Sequence, residues 1–424
     1  MLVLYRLLWI LCAPLWSLFI VYRLIRRKEL AGRLGERFGV RSVGSIEPGV
    51  GPMAGRIWIH AASIGESTVA LTLARHLGER DPNAHFLLTT GTVTSADWVA
   101  RRLPPRTIHQ VVPFDEYTCV ARFFSGWRPR VGFLVESELW PNLLAIGSKR
   151  CPIVLLSARL SDRSFRRWNF FRPFAAKLLR NFSLILGQSE EDTVRFSQLS
   201  SAELGKPVVL QVGNLKLCAG RPPRNSEQEQ MMKQRIGNRP VLFAASTHRG
   251  EERLICQLHS QLEQEHPRLL TIIALRHPAR RRGVLTVIAS HQLRATVRSR
   301  GPIEDSTQVH VVDTFGELPL FFAISDATWI GGSSRHGGHN PIEPAHFDAP
   351  IFFGPDMSSF RGISEQLVSL GAATQVTNFS ELRPVASEAL ARRTARSTGA
   401  ARALSTLGDD VMRRSIDAIA PYLD

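Results

Sequence analysis

Arg56-Ile57-Trp58-Ile59-His60-Ala61-Ala62-Ser63-Ile64-Gly65-Glu66-Ser67-Thr68 joins a short apolar run to a small-residue turn and then to the start of a helix. Similar apolar runs recur at 85–90, 108–112, 131–135, 153–156, 184–186 and 208–212, with helical stretches between them. Continuous apolar strands alternating with helices indicate a parallel, doubly wound sheet, because helices covering both faces leave no solvent side to demand polar alternation. Residues 219–240 break the rhythm with Pro222, Pro223, Asn225, Ser226 and Gly237, and read as a linker plus a lead-in helix. A second series then follows at 241–245, 270–275, 310–312, 328–330 and 350–353. The expectation is an α/β chain with two Rossmann-like domains facing a central cleft, residues 29–218 and 241–424, the last helix being free to pack back on the N-terminal domain. A length of 424 residues suits two cores better than one.

Composition narrows the function class. Hydrophobic residues at 44% and charged residues at 21% are ordinary for a globular chain and exclude wholesale disorder or many membrane spans. The formal net charge of +16 marks a surface that attracts anions: nucleic acid, anionic lipid or a phosphorylated substrate. Five scattered cysteines without a CxxC pair read as reduced thiols, with neither a disulfide framework nor a zinc site.

The N-terminus differs from the rest. Leu7 to Tyr22 is sixteen residues without a charge, followed by Arg23, Arg26, Arg27 and Lys28. With no small-x-small cleavage pattern after it, residues 1–28 read as an uncleaved signal-anchor helix, and the positive cluster keeps the following domains on the cytoplasmic side. Basic and aromatic residues also mix from Arg163 to Phe182, which suits nucleic acid, an anionic membrane surface or a solvated helix face, the adjoining anchor favouring the membrane.

Ligands of open α/β sheets bind at the carboxyl ends of the strands, so the residues that follow the strands are the informative ones. Glu66 falls in a first helical turn. Favourable dipole placement is its plainer reading, and acceptance of a proton from an attacking hydroxyl its functional one. Glu136-Ser137-Glu138-Leu139-Trp140-Pro141-Asn142 follows another strand; one of its two carboxylates is expected to face the cleft, with Glu136 ordering the reacting groups. Gly213-Asn214-Leu215-Lys216 places Lys216 where a point charge can meet a departing phosphate. In the second half, Ala244–Glu251 is a strand, small turn and helix suited to phosphate approach. Arg276-His277 and Phe315-Gly316-Glu317 follow further strands. Gly331-Gly332-Ser333-Ser334-Arg335-His336-Gly337-Gly338-His339-Asn340-Pro341-Ile342-Glu343 carries four glycines in eight residues, a proline suited to the first helical position and a first-turn carboxylate able to accept ribose hydroxyls.

Taken in order, these motifs resemble the bacterial 3-deoxy-D-manno-octulosonic acid (Kdo) transferases, through nearly the whole chain and including the N-terminal anchor. The matching pieces also include Ser246-Thr247-His248 and Arg276-His277-Pro278; Thr90-Gly91-Thr92 and Pro344 depart from the usual pattern. The resemblance implies a GT-B glycosyltransferase, inverting and needing neither metal nor other cofactor, at the inner face of the cytoplasmic membrane. It would carry Kdo from CMP-Kdo to a lipid A precursor. It implies Glu66 as proton acceptor and Glu136 and Lys216 as transition-state stabilisers. It further implies a CMP site of Arg276, His277, Phe315, Gly316, Glu317, Asn340, Pro341, Ile342 and Glu343. The rival readings are another GT-B nucleotide-sugar enzyme, such as a UDP-sugar 2-epimerase, and a membrane-tethered nucleic-acid-binding protein; nucleic acid is not the expected partner.

Overall fold

The computed structural model describes residues 2–41, 55–200, 207–222, 224–392 and 399–423; Pro223 of the expected linker lies outside them. The chain divides into two compact units, Met1–Gly220 with Leu407–Asp424, and Arg221–Thr406.

In the first unit, seven parallel strands form one sheet: β1 Ile57–Ala61, β2 Phe86–Thr90, β3 Thr107–Val111, β4 Val131–Val135, β5 Ile153–Ala158, β6 Leu184–Gly187 and β7 Val208–Gln211. Their order is β3-β2-β1-β4-β5-β6-β7. β1, β2, β4 and β5 are buried at every position, the burial that continuous apolar runs require when helices cover both faces. The core is aromatic, with Trp58, Phe123, Phe124 and Trp127 packed together. The C-terminal residues belong to this unit by close contact: a Cβ on Gly408 would lie 2.6 Å from the Leu217 carbonyl oxygen.

The second unit repeats the plan with β8 Val241–Thr247, β9 Leu270–Leu275, β10 Ala295–Val297, β11 Val309–Val312, β12 Ala327–Ile330, β13 Ile351–Phe353 and β14 Ala373–Gln375. The order is β10-β11-β9-β8-β12-β13-β14, again parallel. Alternate residues of β8 enter two separate cores, Leu242 and Ala244 on one face and Val241, Phe243 and Ala245 on the other. The helix Ser226–Ile236 contributes Met232 and Ile236 to the second of these cores. β10 and β14 are absent from the sequence expectation. Each has three residues and lies at a sheet edge, too short to leave an apolar run.

The single anchoring helix expected over residues 1–28 is corrected. Two helices stand there, α1 Leu2–Leu11 and α2 Ala13–Ile25, bent by 69°. Pro14 lies in the first turn of α2, where it has no N–H for the preceding turn and its ring forbids an unbroken ladder. Among the described residues no single helix is long and apolar enough to cross a membrane; the bent pair passes that test together, by length and composition only. Neither helix has a buried residue.

Candidate active site

The strand order reverses between β1 and β4 in the first sheet and between β8 and β12 in the second. Such switch points open a crevice at the carboxyl ends of the strands.

At the first switch point, β1 runs through Ala62 and Ser63 into the helix Ile64–Arg80. Ser63 caps that helix: its Oγ accepts from Glu66 N at 3.3 Å. Glu66 reaches back, accepting from Ser63 Oγ at 2.7 Å and from Ala62 N at 2.8 Å. The residue is 9% exposed. Burial pushes its carboxyl above the ordinary value; the Ser63 bond pulls it down, and the charge of Glu136 pushes it up again.

β4 ends at Val135, and Glu136 takes a left-handed backbone, φ 66°, which turns the chain out of the strand. Its carboxylate forms an ion pair with Lys216 Nζ. Lys216 is set by a short 3-10 turn, Leu215–Cys218, capped by Asn214, whose Oδ1 accepts from Lys216 N at 2.9 Å. A Cβ on Gly65 would lie 3.6 Å from Lys216 Cε, so the lysine stem runs beside the residue preceding Glu66. The three residues expected from sequence are therefore brought together.

The segment also uses two groups that the sequence reading left out of the site. Glu138 bonds His60 Nε2 at 3.1 Å and receives the ring N–H of Trp140. Burial alone would raise Glu138, but these bonds hold it below the ordinary carboxylate value. His60 in turn bonds Thr89 Oγ1 at 2.9 Å. Its one visible signal was an ionisable residue inside an otherwise apolar strand.

The second switch point is built of imidazoles. His248, just after β8, bonds His339 in the loop after β12, Nε2 to Nε2, at 2.9 Å. His336 stacks on His248 with ring centres 4.4 Å apart, and His277 meets it edge-on at 6.1 Å. Burial, together with Arg276 and the neighbouring imidazoles, pushes His339 down to about 4; His248 is lowered for similar reasons, burial first. Both shifts favour the neutral imidazole. Arg276 and His277 are exposed beside them. His248 and His339 stood in the quoted motifs without a role, since nothing in one dimension joins residues so far apart.

The glycine-rich loop is held from below by Glu251, in the first turn of the helix Glu251–Leu262. Its carboxylate accepts from Gly332 N at 2.9 Å, His248 N at 2.8 Å and Ser334 Oγ at 3.3 Å. Gly331 leaves no room for a side chain: a Cβ would lie 2.4 Å from the Ser246 carbonyl oxygen.

The structure bears on two of the segments expected to meet phosphate. The amides of His248 and Gly332 already bond Glu251, and the helix after Pro341 is one turn only, Ile342–Ala345, too short for an appreciable dipole. Pro341 precedes its first residue. Asn340 shapes the turn instead, accepting from Ile342 N at 3.0 Å and lying 3.4 Å from Glu343, whose carboxyl burial raises.

Phe315-Gly316-Glu317 follows β11. Phe315 is 81% exposed, and Arg298 binds Glu317 at 2.6 Å, holding it below the ordinary value against the effect of burial. No bond joins this group to the imidazoles among the described residues. Nor, among them, are three or more His, Cys, Asp or Glu side chains arranged to hold a metal ion.

Residues 32–219 match the family model described as 3-deoxy-D-manno-octulosonic-acid transferase (kdotransferase). The chain is 30% identical to the 3-deoxy-D-manno-octulosonic acid transferase of Haemophilus influenzae, covering 99% of this chain and 98% of that one. It is 37% identical to the enzyme of the same name from Rickettsia felis, covering 77% of this chain and 69% of that one. Among solved structures, a UDP-GlcNAc 2-epimerase from Neisseria meningitidis bound to UDP-GlcNAc superimposes with a TM-score of 0.56 at 11% identity, over 85% of this chain and 100% of that one. That likeness is one of fold, the GT-B pairing of two parallel-sheet α/β domains. The relatives that share sequence as well as fold are glycosyltransferases, and the chain belongs to the 3-deoxy-D-manno-octulosonic acid (Kdo) transferase family.

Proposed function

We propose that the chain transfers Kdo from CMP-Kdo to a glucosamine hydroxyl of a lipid A precursor, with Glu66 as general base and inversion at the anomeric carbon. The acceptor oxygen forms its bond to the anomeric carbon as Glu66 takes its proton. The bond from that carbon to the phosphate oxygen breaks, and CMP leaves with the electron pair. Glu136 and Lys216 stabilise the transition state, so no metal or other cofactor is needed.

The observation that carries this reading is the placement of Glu66 at a switch point beside the Glu136–Lys216 pair, its carboxyl raised by burial and by a like charge. A stronger base at the right place is what proton removal from a hydroxyl requires. The second unit offers Arg276 and His277, with Phe315, Gly316 and Glu317 and the run Asn340 to Glu343, as the CMP site. Glu343 is the group suited to ribose hydroxyls. An excess charge of +16 suits the phosphates of lipid A and CMP and the carboxylate of Kdo.

The apolar surface of α1 and α2, with Leu11 75% and Ile25 75% exposed, suits attachment to the inner leaflet of the cytoplasmic membrane; Phe170, 81% exposed among arginines, suits the same anionic surface.

The test is to supply CMP-Kdo, generated in situ, with a lipid A precursor and to weigh the lipid products. The expected spectrum contains the acceptor plus whole Kdo residues, and CMP is released. No mass increase would overturn the reading; conversion of UDP-N-acetylglucosamine in a parallel reaction would favour an epimerase.

A further inference from the structure

Asp115 and Asn142 lie outside the carboxylate site, yet they are buried, at 6% and 0% exposure, and every polar atom of both side chains is used. Asp115 Oδ1 accepts from Leu143 N at 2.7 Å, and Oδ2 accepts from Asn142 N at 3.0 Å and from Tyr5 Oη at 2.9 Å. Asn142 Nδ2 donates to the Asp115 carbonyl oxygen at 2.7 Å, and its Oδ1 accepts from Arg6 Nε at 2.8 Å. The Arg6 guanidinium also lies over the Tyr117 ring, 4.5 Å from its centre. Tyr5 and Arg6 are both residues of α1.

This network decides where the helix Pro141–Gly147 begins, because the amides of Asn142 and Leu143 have no partner inside the helix and Asp115 takes both. Trp140 immediately precedes that helix, and its ring N–H bonds Glu138. Upstream, β4 fixes the chain as far as Val135. The segment Glu136–Trp140, with both of its carboxylates, is thus pinned at one end by the sheet and at the other by Asp115. A small shift of a catalytic group costs more rate than stability, since productive geometry tolerates only fractions of an ångström.

We propose that Asp115 is a positioning residue for the transfer reaction, and that α1 holds it in place through Tyr5, so that the N-terminal helix is part of the acceptor-side machinery as well as a means of attachment. The proposal rests on the transferase reading given above.

The test uses the full chain with lipid A precursor in detergent micelles, where attachment to a bilayer no longer limits the rate. Tyr5→Phe keeps the ring and removes one hydroxyl. It is expected to lower kcat about fivefold with KM for CMP-Kdo unchanged, and to speed hydrogen exchange at the amides of Asn142 and Leu143 about tenfold. Asp115→Asn should do the same more strongly; should it fail to fold, Tyr5→Phe still decides. Leu18→Ser, in the exposed apolar face of α2, is expected to weaken binding to anionic vesicles and to leave kcat in micelles at the wild-type level. A Tyr5→Phe enzyme with wild-type kcat and unchanged exchange would overturn the proposal and leave α1 a tether. Absence of transfer by the wild-type protein would strike the transferase reading instead, and the exchange rates would still judge the network.

Discussion

Glu66 and Glu251 hold the same place in two sheets of closely related topology: each lies in the first turn of the helix that follows the strand where the order reverses. Burial raises both carboxyls. The donors around them differ. Glu251 reaches out of its own turn to Gly332 and Ser334 as well as to His248, and so carries the loop after β12. Among the described residues Glu66 bonds within its own turn, to Ser63 and Ala62, and its other neighbours are the charges of Glu136 and Glu138. A carboxylate saturated by donors from another loop is a clamp, whereas one whose neighbours disfavour its charge has the setting that the proposed base requires. Place in the fold does not decide between these roles; the surrounding donors do.

The strongest way to break that contrast is to neutralise each carboxylate without changing its shape. Glu66→Gln is expected to lower kcat about a thousandfold while leaving the melting temperature unchanged, as loss of a general base should. Equal losses of rate and of stability would make Glu66 a clamp like its counterpart. Next in size, Lys216→Ala removes the charge opposite Glu136 and is expected to cost about a hundredfold in kcat, read by product formation at saturating donor. Glu251→Gln turns one acceptor oxygen into a donor facing the backbone amides. The second unit is then expected to lose about 2 kcal/mol in urea unfolding, with a smaller loss of kcat than in Glu66→Gln.

The smallest effect concerns pH. Because the Glu66 carboxyl lies above its ordinary value of 4.5, its basic form is lost early as pH falls, and the acid limb of kcat/KM should sit above that value. Glu136→Gln removes a like charge and lowers the Glu66 pKa, so the limb, normalised to the plateau, should move to lower pH. A limb that stays put would separate Glu136 from Glu66.

What was legible in the sequence follows from how local each signal is. Long apolar runs announced the central strands of both sheets, because burial on both faces leaves its mark residue by residue. β10 and β14, three residues each at sheet edges, leave no such mark. Pro14 was visible, but a count of uncharged residues does not register the hydrogen bond it removes, so one helix was expected where two meet at 69°. Glu66, Glu136 and Lys216 were legible as candidates because each follows a strand or its turn, and the structure sets them side by side. The His248–His339 pair and the Glu251 clamp were not, because β8 and β12 are neighbours only through the sheet order. The amides expected to receive phosphate were legible as amides; that Glu251 binds two of them, those of His248 and Gly332, required three dimensions.

The most direct test of the central claim compares wild type with Glu66→Gln in a single turnover, with donor-bound enzyme mixed with lipid A precursor and the lipid weighed over time. A Kdo-bearing product is expected from the wild type, none over the same interval from Glu66→Gln, and equal CMP affinity for both proteins. Product formed by Glu66→Gln at the wild-type rate would contradict it.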